Sequence, residues 1–293
     1  MLMGPLKTRA MTLKRSDYSE TSQWATFYTA DFGKINTIAK GSKRKNKKFD
    51  GPIDLLSYHH IVFLNKPSQP IKILMEYELL DSFMPLRTSL DLLTRGIYVA
   101  DFLNQMTALE DKNTVLFDLA LETMKQLSEI QTGRPAPISS GPAPVFPGNE
   151  LMDLVLFAFE TRALKSLGYM PYTRSCARCN KQITPSGPAN TVTSNQVVFS
   201  ARAGGAVCRK CHRTDNHVIT TNPGVLSLYY NLSTGQTSDL SRLKISLFMN
   251  QNLREILNYY IASILGEPLK TALAIQPMTN SRFCYRNKET VFN

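Results

Sequence analysis

Residues 22–39 read SQWATFYTADFGKINTIA, and this stretch decides the fold of the N-terminal part of the chain. Residues 24–29 are aromatic or β-branched apart from one alanine, residues 31–33 are typical of a turn, and residues 34–39 resume a strand-like pattern. The stretch therefore predicts a β-hairpin.

Two further runs of strand-forming residues follow, at 58–64 and 71–78. No stretch with helical periodicity lies between the hairpin and these two runs. Residues 1–20 lack sustained periodicity, and we expect the first few to be a loose terminus. About five short strands without an intervening helix are typical of a small barrel or sandwich. Residues 1–82 are accordingly predicted to form one β domain.

Helical periodicity begins near Thr88, and the spacing of Thr88 and Asp91 resembles a capping box. A second helix is predicted over 113–131. Residues 133–148, GRPAPISSGPAPVFPG, contain five prolines and three glycines, which predicts an exposed loop or linker. A third helix is predicted to begin at Asn149 and to end at Gly168.

The C-terminal part of the chain also has a helical pattern. Asn222 and Pro223 are residue types typical of a helix start. Residues 253–265 are strongly amphipathic, and Gly266 marks the end of this second predicted helix. The predicted helical domain therefore spans residues 83–170 and is completed by residues 221–293, which end in a polar tail.

Four of the five cysteines form two C-x-x-C pairs, Cys176 with Cys179 and Cys208 with Cys211. A two-residue spacer lets both sulfurs of a turn reach one ion, and two such turns complete a tetrahedron, so we predict a zinc site closed by four thiolates. Because a closed site leaves no position for water or substrate, its expected role is structural. Nothing in the sequence proves zinc over iron.

Other readings of the cysteines are open. C-x-x-C-H at 208–212 is also the c-type haem motif, but the first thirty residues lack the apolar region of an export signal, which disfavours haem. A redox dithiol is possible for one pair alone, and two pairs in a helix-poor segment argue against it. His212 is expected outside the ligand set. The 28 residues between the pairs exceed the common spacing and predict a hairpin around 192–200 within a module at 171–220.

The formal net charge of +11 is concentrated in two stretches. Residues 32–49 and 161–214 hold seven and nine of the 34 lysines and arginines, and neither stretch contains an acid. Segregated positive charge indicates a polyanionic partner, most often nucleic acid, with acidic protein tails and anionic membranes as alternatives. Cys284, in the polar tail, has no predicted role.

The basic run at 40–48 follows directly on the second predicted strand, beside Trp24, Phe27 and Tyr28. It is either a solvated loop or, with an exposed aromatic side chain, a surface that binds single strands. The aromatics are equally compatible with the core. The predicted DNA-binding residues are Trp24, Lys34, Lys40, Lys43, Arg44, Lys45, Lys47, Lys48, Arg178, Arg202, Arg209, Lys210 and Arg213.

The chain shows no enzyme signature, since it lacks a Gly-rich phosphate loop, a G-x-S-x-G elbow and a deaminase motif. His59 and His60 would point to opposite faces of a strand and could not share one metal. No apolar run approaches the roughly 20 residues that span a bilayer. These observations predict a cytoplasmic protein that is not an enzyme.

The order of these segments resembles the RecO family of bacterial DNA repair and recombination mediators. The resemblance rests on FYTADFGKINTIAKGSKRK, IVFLNK, LMEYELLDSF and FAFETRALKSLGYMP, the last just before CARCN, and on CRKC ahead of the closing helices. It covers nearly the whole chain. Relative to the family, the Pro-rich segment at 133–148 looks like an insertion.

The resemblance implies an α+β multi-domain protein with an N-terminal OB-fold barrel, a helical domain and an inserted four-cysteine zinc module. It also implies binding of single- and double-stranded DNA, strand annealing and, with the partner RecR, help in loading RecA onto strands coated by single-stranded DNA-binding protein. The turn at 33–35 and the strand end at 39–41 are then the DNA-facing edge. A zinc-ribbon adaptor of transcription or translation is the alternative, and a nuclease or other enzyme is a third hypothesis.

Overall fold

The computed structural model describes residues 4–44, 49–65, 69–131, 148–183, 197–212, 217–235, 240 and 243–275. Five N-terminal strands form a closed barrel in the order β1-β2-β3-β5-β4. Their bounds are β1 Gly4–Asp17, β2 Gln23–Thr29, β3 Gly33–Ala39, β4 Tyr58–Asn65 and β5 Ile71–Asp81. The predicted α+β fold with an N-terminal OB-fold barrel is confirmed.

The predicted hairpin is present as the antiparallel pair β2–β3, in which Trp24 lies opposite Ile38. Gly33 takes a positive φ of 65° at the turn, a conformation that glycine adopts without steric cost. Phe27 and Ile35 are fully buried in the barrel interior, where they form a core of their own with residues of the other strands. The parallel pairing of β3 with β5 closes the barrel.

Residues 1–3 of the expected loose terminus lie outside the described residues. Residues 4–17, which lack sustained periodicity in the sequence, form strand β1, and this strand pairs with both β2 and β4. Its residues 5–10 do alternate between exposed and buried positions. The alternation is then broken by an irregularity in register between Thr12 and Lys14. A bulge of this kind hides the two-residue period from sequence analysis.

Within the described residues, five α-helices follow the barrel. They are α1 Leu90–Met106, α2 Thr114–Gln131, α3 Gly148–Ser166, α4 Pro223–Thr234 and α5 Leu247–Leu265. A short 3-10 helix, Met84–Arg87, precedes α1, and another, Lys270–Leu273, follows α5. Residues 133–147 of the Pro-rich segment and Cys284 lie outside the described residues.

Several predicted helix ends are confirmed. Gly168 has a φ of 82°, and the amides of Gly168 and Tyr169 donate to the carbonyls of Lys165 and Leu164, which is a Schellman cap on α3. The Asn222 side chain accepts from Val225 N–H and caps α4. The predicted capping box of α1 is wrong, because Ser89 is the N-cap and Thr88 donates instead to the Pro85 carbonyl.

A buried ionic network ties α1, α3 and α5 together. The Arg254 guanidinium donates to both carboxylate oxygens of Glu160, at 2.8 and 3.0 Å, and the Tyr98 hydroxyl donates to the same carboxylate. Arg254 also lies over the Phe157 ring, 4.4 Å from its centre. Burial raises the pKa of Glu160, and Arg254 opposes this shift. Both carboxylate oxygens of Glu160 are therefore paired, and we expect this arrangement to favour one register of the three helices.

A small sheet of order β7-β6-β8 lies against the helices, with β6 Val197–Ser200, β7 Gly205–Val207 and β8 Ile219–Thr221. Phe199 of β6 packs edge-on against Tyr260 of α5, with 5.5 Å between ring centres. Phe199 is part of the same buried core as the helices. Strands β6 and β7 form a hairpin whose turn lies at 201–204, so it extends beyond the predicted bounds of 192–200, of which residues 192–196 lie outside the described residues.

Candidate metal centre and basic surfaces

The four cysteines of the two C-x-x-C pairs converge. The sulfurs of Cys176, Cys179, Cys208 and Cys211 all lie within 4.8 Å of one another. The Sγ atoms of Cys179 and Cys208 are 3.8 Å apart. Four sulfurs held about 2.3 Å from a central zinc would be separated by about 3.8 Å along each tetrahedral edge. The four cysteines could therefore hold one metal ion.

Backbone hydrogen bonds shape each cysteine pair. The first turn is closed by Cys176 N–H, which donates to the Lys181 carbonyl, and by Asn180 N–H, which donates to the Cys176 carbonyl. The second is a tight turn in which Cys211 N–H donates to the Cys208 carbonyl. Cys208 directly follows β7, and its own N–H points at the Cys176 sulfur, 3.4 Å away. The small sheet thus positions the second cysteine pair next to the first.

The acidities of the thiols fit a cation at the centre. Burial raises the pKa of Cys176, but backbone N–H groups of Cys208, Cys179 and Arg178 outweigh it and lower this pKa to about 6. The sulfurs of Cys208 and Cys179 raise the pKa of Cys211 to about 12. Thiolates this close together repel one another, and a divalent ion between them removes that repulsion.

His212 does not belong to the sulfur cluster. Its Nδ1 atom lies 2.9 Å from the Arg209 carbonyl oxygen. This position agrees with the expectation that His212 lies outside the ligand set.

The predicted basic residues of the module lie on its surface. Arg178, Arg202, Arg209 and Lys210 are all exposed or half-buried, whereas Arg213 is outside the described residues. The described residues between 161 and 235 contain no Asp or Glu. The described segments of this part of the molecule therefore contribute positive charge and no carboxylate side chains.

The basic loop after β3 is only partly described. Lys40 and Arg44 are exposed, whereas Lys45, Lys47 and Lys48 lie outside the described residues. Lys43 forms an ion pair with Asp17, with 2.8 Å between the Nζ and Oδ1 atoms. Asp17 therefore neutralises part of the positive charge of this barrel surface.

Lys34 contradicts its assignment as a DNA contact. The side chain is 9% exposed, and its Nζ donates to the carbonyl oxygens of Asn104 and Thr107 at the end of α1. Burial lowers the pKa of Lys34. The turn at 33–35 is thus buried against the helical domain, so this part of the predicted DNA-facing edge is a domain junction.

The aromatic residues of β2 divide between core and surface. Phe27 and Tyr28 are fully buried and belong to the core, whereas Trp24 is half-buried. Trp24 is therefore the one member of this trio with an accessible ring.

The two adjacent histidines face opposite ways, as the strand period predicts. His59 is buried between Phe27 and Tyr77, and burial lowers its pKa to about 4. His60 lies on the outer face, where it contacts Glu78. The pair cannot share a metal.

Tyr172 belongs to no motif of the sequence, yet its ring is exposed on the cysteine module. The sequence around it, PYTRSC at 171–176, has no alternation of apolar and polar residues, so the alternation of buried and exposed positions over 171–174 is visible only in the structure.

None of the helices among the described residues combines the length and apolarity needed to cross a membrane.

Comparison with family models gives two matches. Residues 3–83 match "Recombination protein O N terminal", and residues 148–272 match "Recombination protein O C terminal". The first match covers the barrel, and the second covers α3 to α5 with the cysteine module between them.

Individual relatives agree with these matches. The chain is 29% identical over 225 residues to the DNA repair protein RecO of Rhodopirellula baltica, covering 77% of this chain and 74% of the relative. It is 26% identical over 270 residues to that of Syntrophus aciditrophicus, covering 90% and 93%. It is 26% identical over 282 residues to that of Bacillus subtilis, covering 94% and 96%.

Proposed function

The chain belongs to the RecO family, which gives it a role in recombination repair, and from this membership we propose that it acts as a recombination mediator. It binds single- and double-stranded DNA without regard to sequence and anneals complementary strands. With RecR, it assists the loading of RecA onto strands coated by single-stranded DNA-binding protein. The proposal assigns no reaction chemistry to the chain and places it in the cytoplasm at the nucleoid.

The observation that carries the proposal is the separation of positive charge between two parts of the molecule. One surface, with Lys40 and Arg44, lies at the end of β3 in the barrel, and the other, with Arg202 and Arg209, lies on the cysteine module. Contacts between such side chains and backbone phosphates carry no sequence information. Two surfaces of this kind can hold two strands and screen the repulsion between them.

The metal in this proposal is zinc, with a structural role. All four donors are cysteine sulfurs, a set that suits zinc in a closed tetrahedral site. The cluster joins residues 176–179 to the end of β7, so the ion fixes one edge of the small sheet that carries the basic residues. Zinc thereby holds the module's basic surface in place.

Annealing and salt titration test the proposal together. The protein should accelerate the pairing of complementary oligonucleotides, and its affinity for strands of unrelated sequence should fall steeply with salt. A preference of several kcal/mol for one sequence or for a structured RNA would favour the adaptor. Strand cleavage in Mg2+ would favour a nuclease.

A further inference from the structure

The ring of Tyr172 is held in an exposed position by a fixed backbone. The side chain is 58% exposed. Its main chain bridges to the small sheet, since the Tyr172 N–H donates to the Gly204 carbonyl at 2.9 Å and the Tyr172 carbonyl accepts from Ala206 N–H at 2.7 Å. A Cβ on Gly205 would lie 2.3 Å from the Tyr172 carbonyl oxygen, so the two backbones touch. The ring is therefore presented to solvent from a rigid base.

An arginine lies on the same face of this extended segment. Pro171 and Thr173 are buried, and Tyr172 and Arg174 are exposed, so the latter two point outward together. The Arg174 guanidinium lies 4.9 Å from the centre of the Tyr230 ring, a cation–π contact that orients it. The Arg174 carbonyl accepts from Ile183 N–H, which fixes the backbone here as well.

A second arginine comes from the neighbouring turn. Gly204 N–H donates to the Ala201 carbonyl, and Arg202 lies inside this turn with its side chain exposed. None of the described ion pairs joins Arg174 or Arg202 to a carboxylate. An exposed aromatic ring with arginines on the same and on the neighbouring segment is a combination by which proteins hold single-stranded nucleic acid, with bases on the ring and phosphates on the cations.

We propose that Tyr172, with Arg174 and Arg202, forms a stacking site for an unpaired base of single-stranded DNA. The inference rests on the proposed function and deepens it, because it gives the cysteine module a preference for unpaired strands. In a duplex, the faces of the bases are covered by their neighbours, so Tyr172 has no base to stack on. The arginines serve both forms of DNA, since both carry phosphates.

Equilibrium binding of a dT oligonucleotide and of a duplex of equal length tests the site. Tyr172→Leu should weaken binding of the single strand by at least about fivefold, because the stacking of one base is removed, and should leave duplex binding unchanged. Tyr172→Phe keeps the ring and should bind like the wild type. The salt slope should stay constant in Tyr172→Leu and fall in Arg202→Gln, because only the arginine contacts phosphate.

The inference is overturned if Tyr172→Leu binds the single strand as tightly as the wild type, or if its affinity for duplex falls by the same factor. In both cases wild-type binding still stands, so the proposed function survives. If the wild type binds neither form, both proposals fail. The substitution is at an exposed ring, and an unchanged melting temperature confirms that the variant is folded.

A tryptophan reporter gives a second measurement that does not depend on weakened binding. The natural chain has a single tryptophan, Trp24. Tyr172→Trp should add fluorescence that is quenched by dT oligonucleotide and not by duplex, beyond the change that Trp24 gives in the wild type. Quenching by neither, at saturating single strand, contradicts stacking at this position.

Discussion

The Lys34 ammonium group lies 2.6 Å from the Thr107 carbonyl oxygen and 2.5 Å from that of Asn104, so a lysine of the barrel caps the end of α1. A cation at this point stabilises the negative end of the helix. The neighbouring backbone is equally tight, because Glu110 N–H donates to the Lys34 carbonyl and a Cβ on Gly33 would lie 2.1 Å from the Asp111 carbonyl oxygen. The hairpin turn is thus the joint between barrel and helices.

The first prediction distinguishes a structural role of Lys34 at this junction from a role in DNA binding. Lys34→Met should lower the free energy of unfolding by about 1–3 kcal/mol, because the buried Thr107 carbonyl and the half-buried Asn104 carbonyl are left without their donor. The salt slope of DNA binding should not change. Lys40→Gln is the matched control, since Lys40 is exposed at the end of the same strand. It should leave stability unchanged and reduce the salt slope by about 0.7–0.9 for each phosphate that Lys40 neutralises.

The buried network of Glu160 and Arg254 gives the second prediction. Arg254→Met leaves a buried carboxylate without its cation and should lower the free energy of unfolding by about 3–5 kcal/mol, measured by urea denaturation. The double variant Glu160→Gln, Arg254→Met should regain part of that stability. Arg15→Met removes an exposed ion pair with Asp54 and should cost under about 1 kcal/mol. Equal effects for the buried and the exposed pair would contradict this account.

The third prediction concerns pH. Burial lowers the pKa of His59 from 6.5 to about 4, against the opposing effect of Asp50 and Asp54. Between these values the unfolded chain binds a proton that the folded chain does not, so the free energy of unfolding falls as pH decreases from about 6.5 to 4, by about 3 kcal/mol from this group.

The adjacent histidine provides the control for this effect. His59→Phe should flatten the dependence of stability on pH in that range, measured by denaturant titration at several pH values. His60→Gln, on the opposite face of β4, should leave most of the dependence in place. If His59→Phe unfolds with the same pH profile as the wild type, the buried imidazole is not the cause.

The fourth prediction concerns the cysteine cluster. The purified chain should contain about one zinc ion, measured by atomic absorption, and Cys176→Ser or Cys208→Ser should release it and be less stable. Cys284→Ser, outside the two pairs, should keep both the zinc and the stability. A variant without zinc that melts at the wild-type temperature would contradict a structural role for the metal.

Some features can be predicted from sequence because they depend on neighbours along the chain. The hairpin at 22–39, the glycine stop at Gly168 and the two cysteine pairs are of this kind, since turn chemistry and ligand spacing are local. The α+β fold is predictable on the same basis, and the RecO resemblance agrees with both family matches.

The features that escape sequence analysis depend on distant contacts. Lysine is a typical surface residue. Lys34 is buried only because α1, about seventy positions later in the chain, packs against it. Strand β1 is hidden because a bulge interrupts its period. Glu160 and Arg254 meet across 94 positions, and the only local sign is an acid within the apolar run LVLFAFE.

The most direct test of the central claim, that two separate basic surfaces act together, is the rate at which complementary strands coated by single-stranded DNA-binding protein anneal. Two folded variants should be compared with the wild type, one with Lys40 and Arg44 changed to Gln and one with Arg202, Arg209 and Lys210 changed to Gln. Each should still bind one strand through its intact surface and should anneal far more slowly than the wild type. Annealing at the wild-type rate by either variant would contradict the claim.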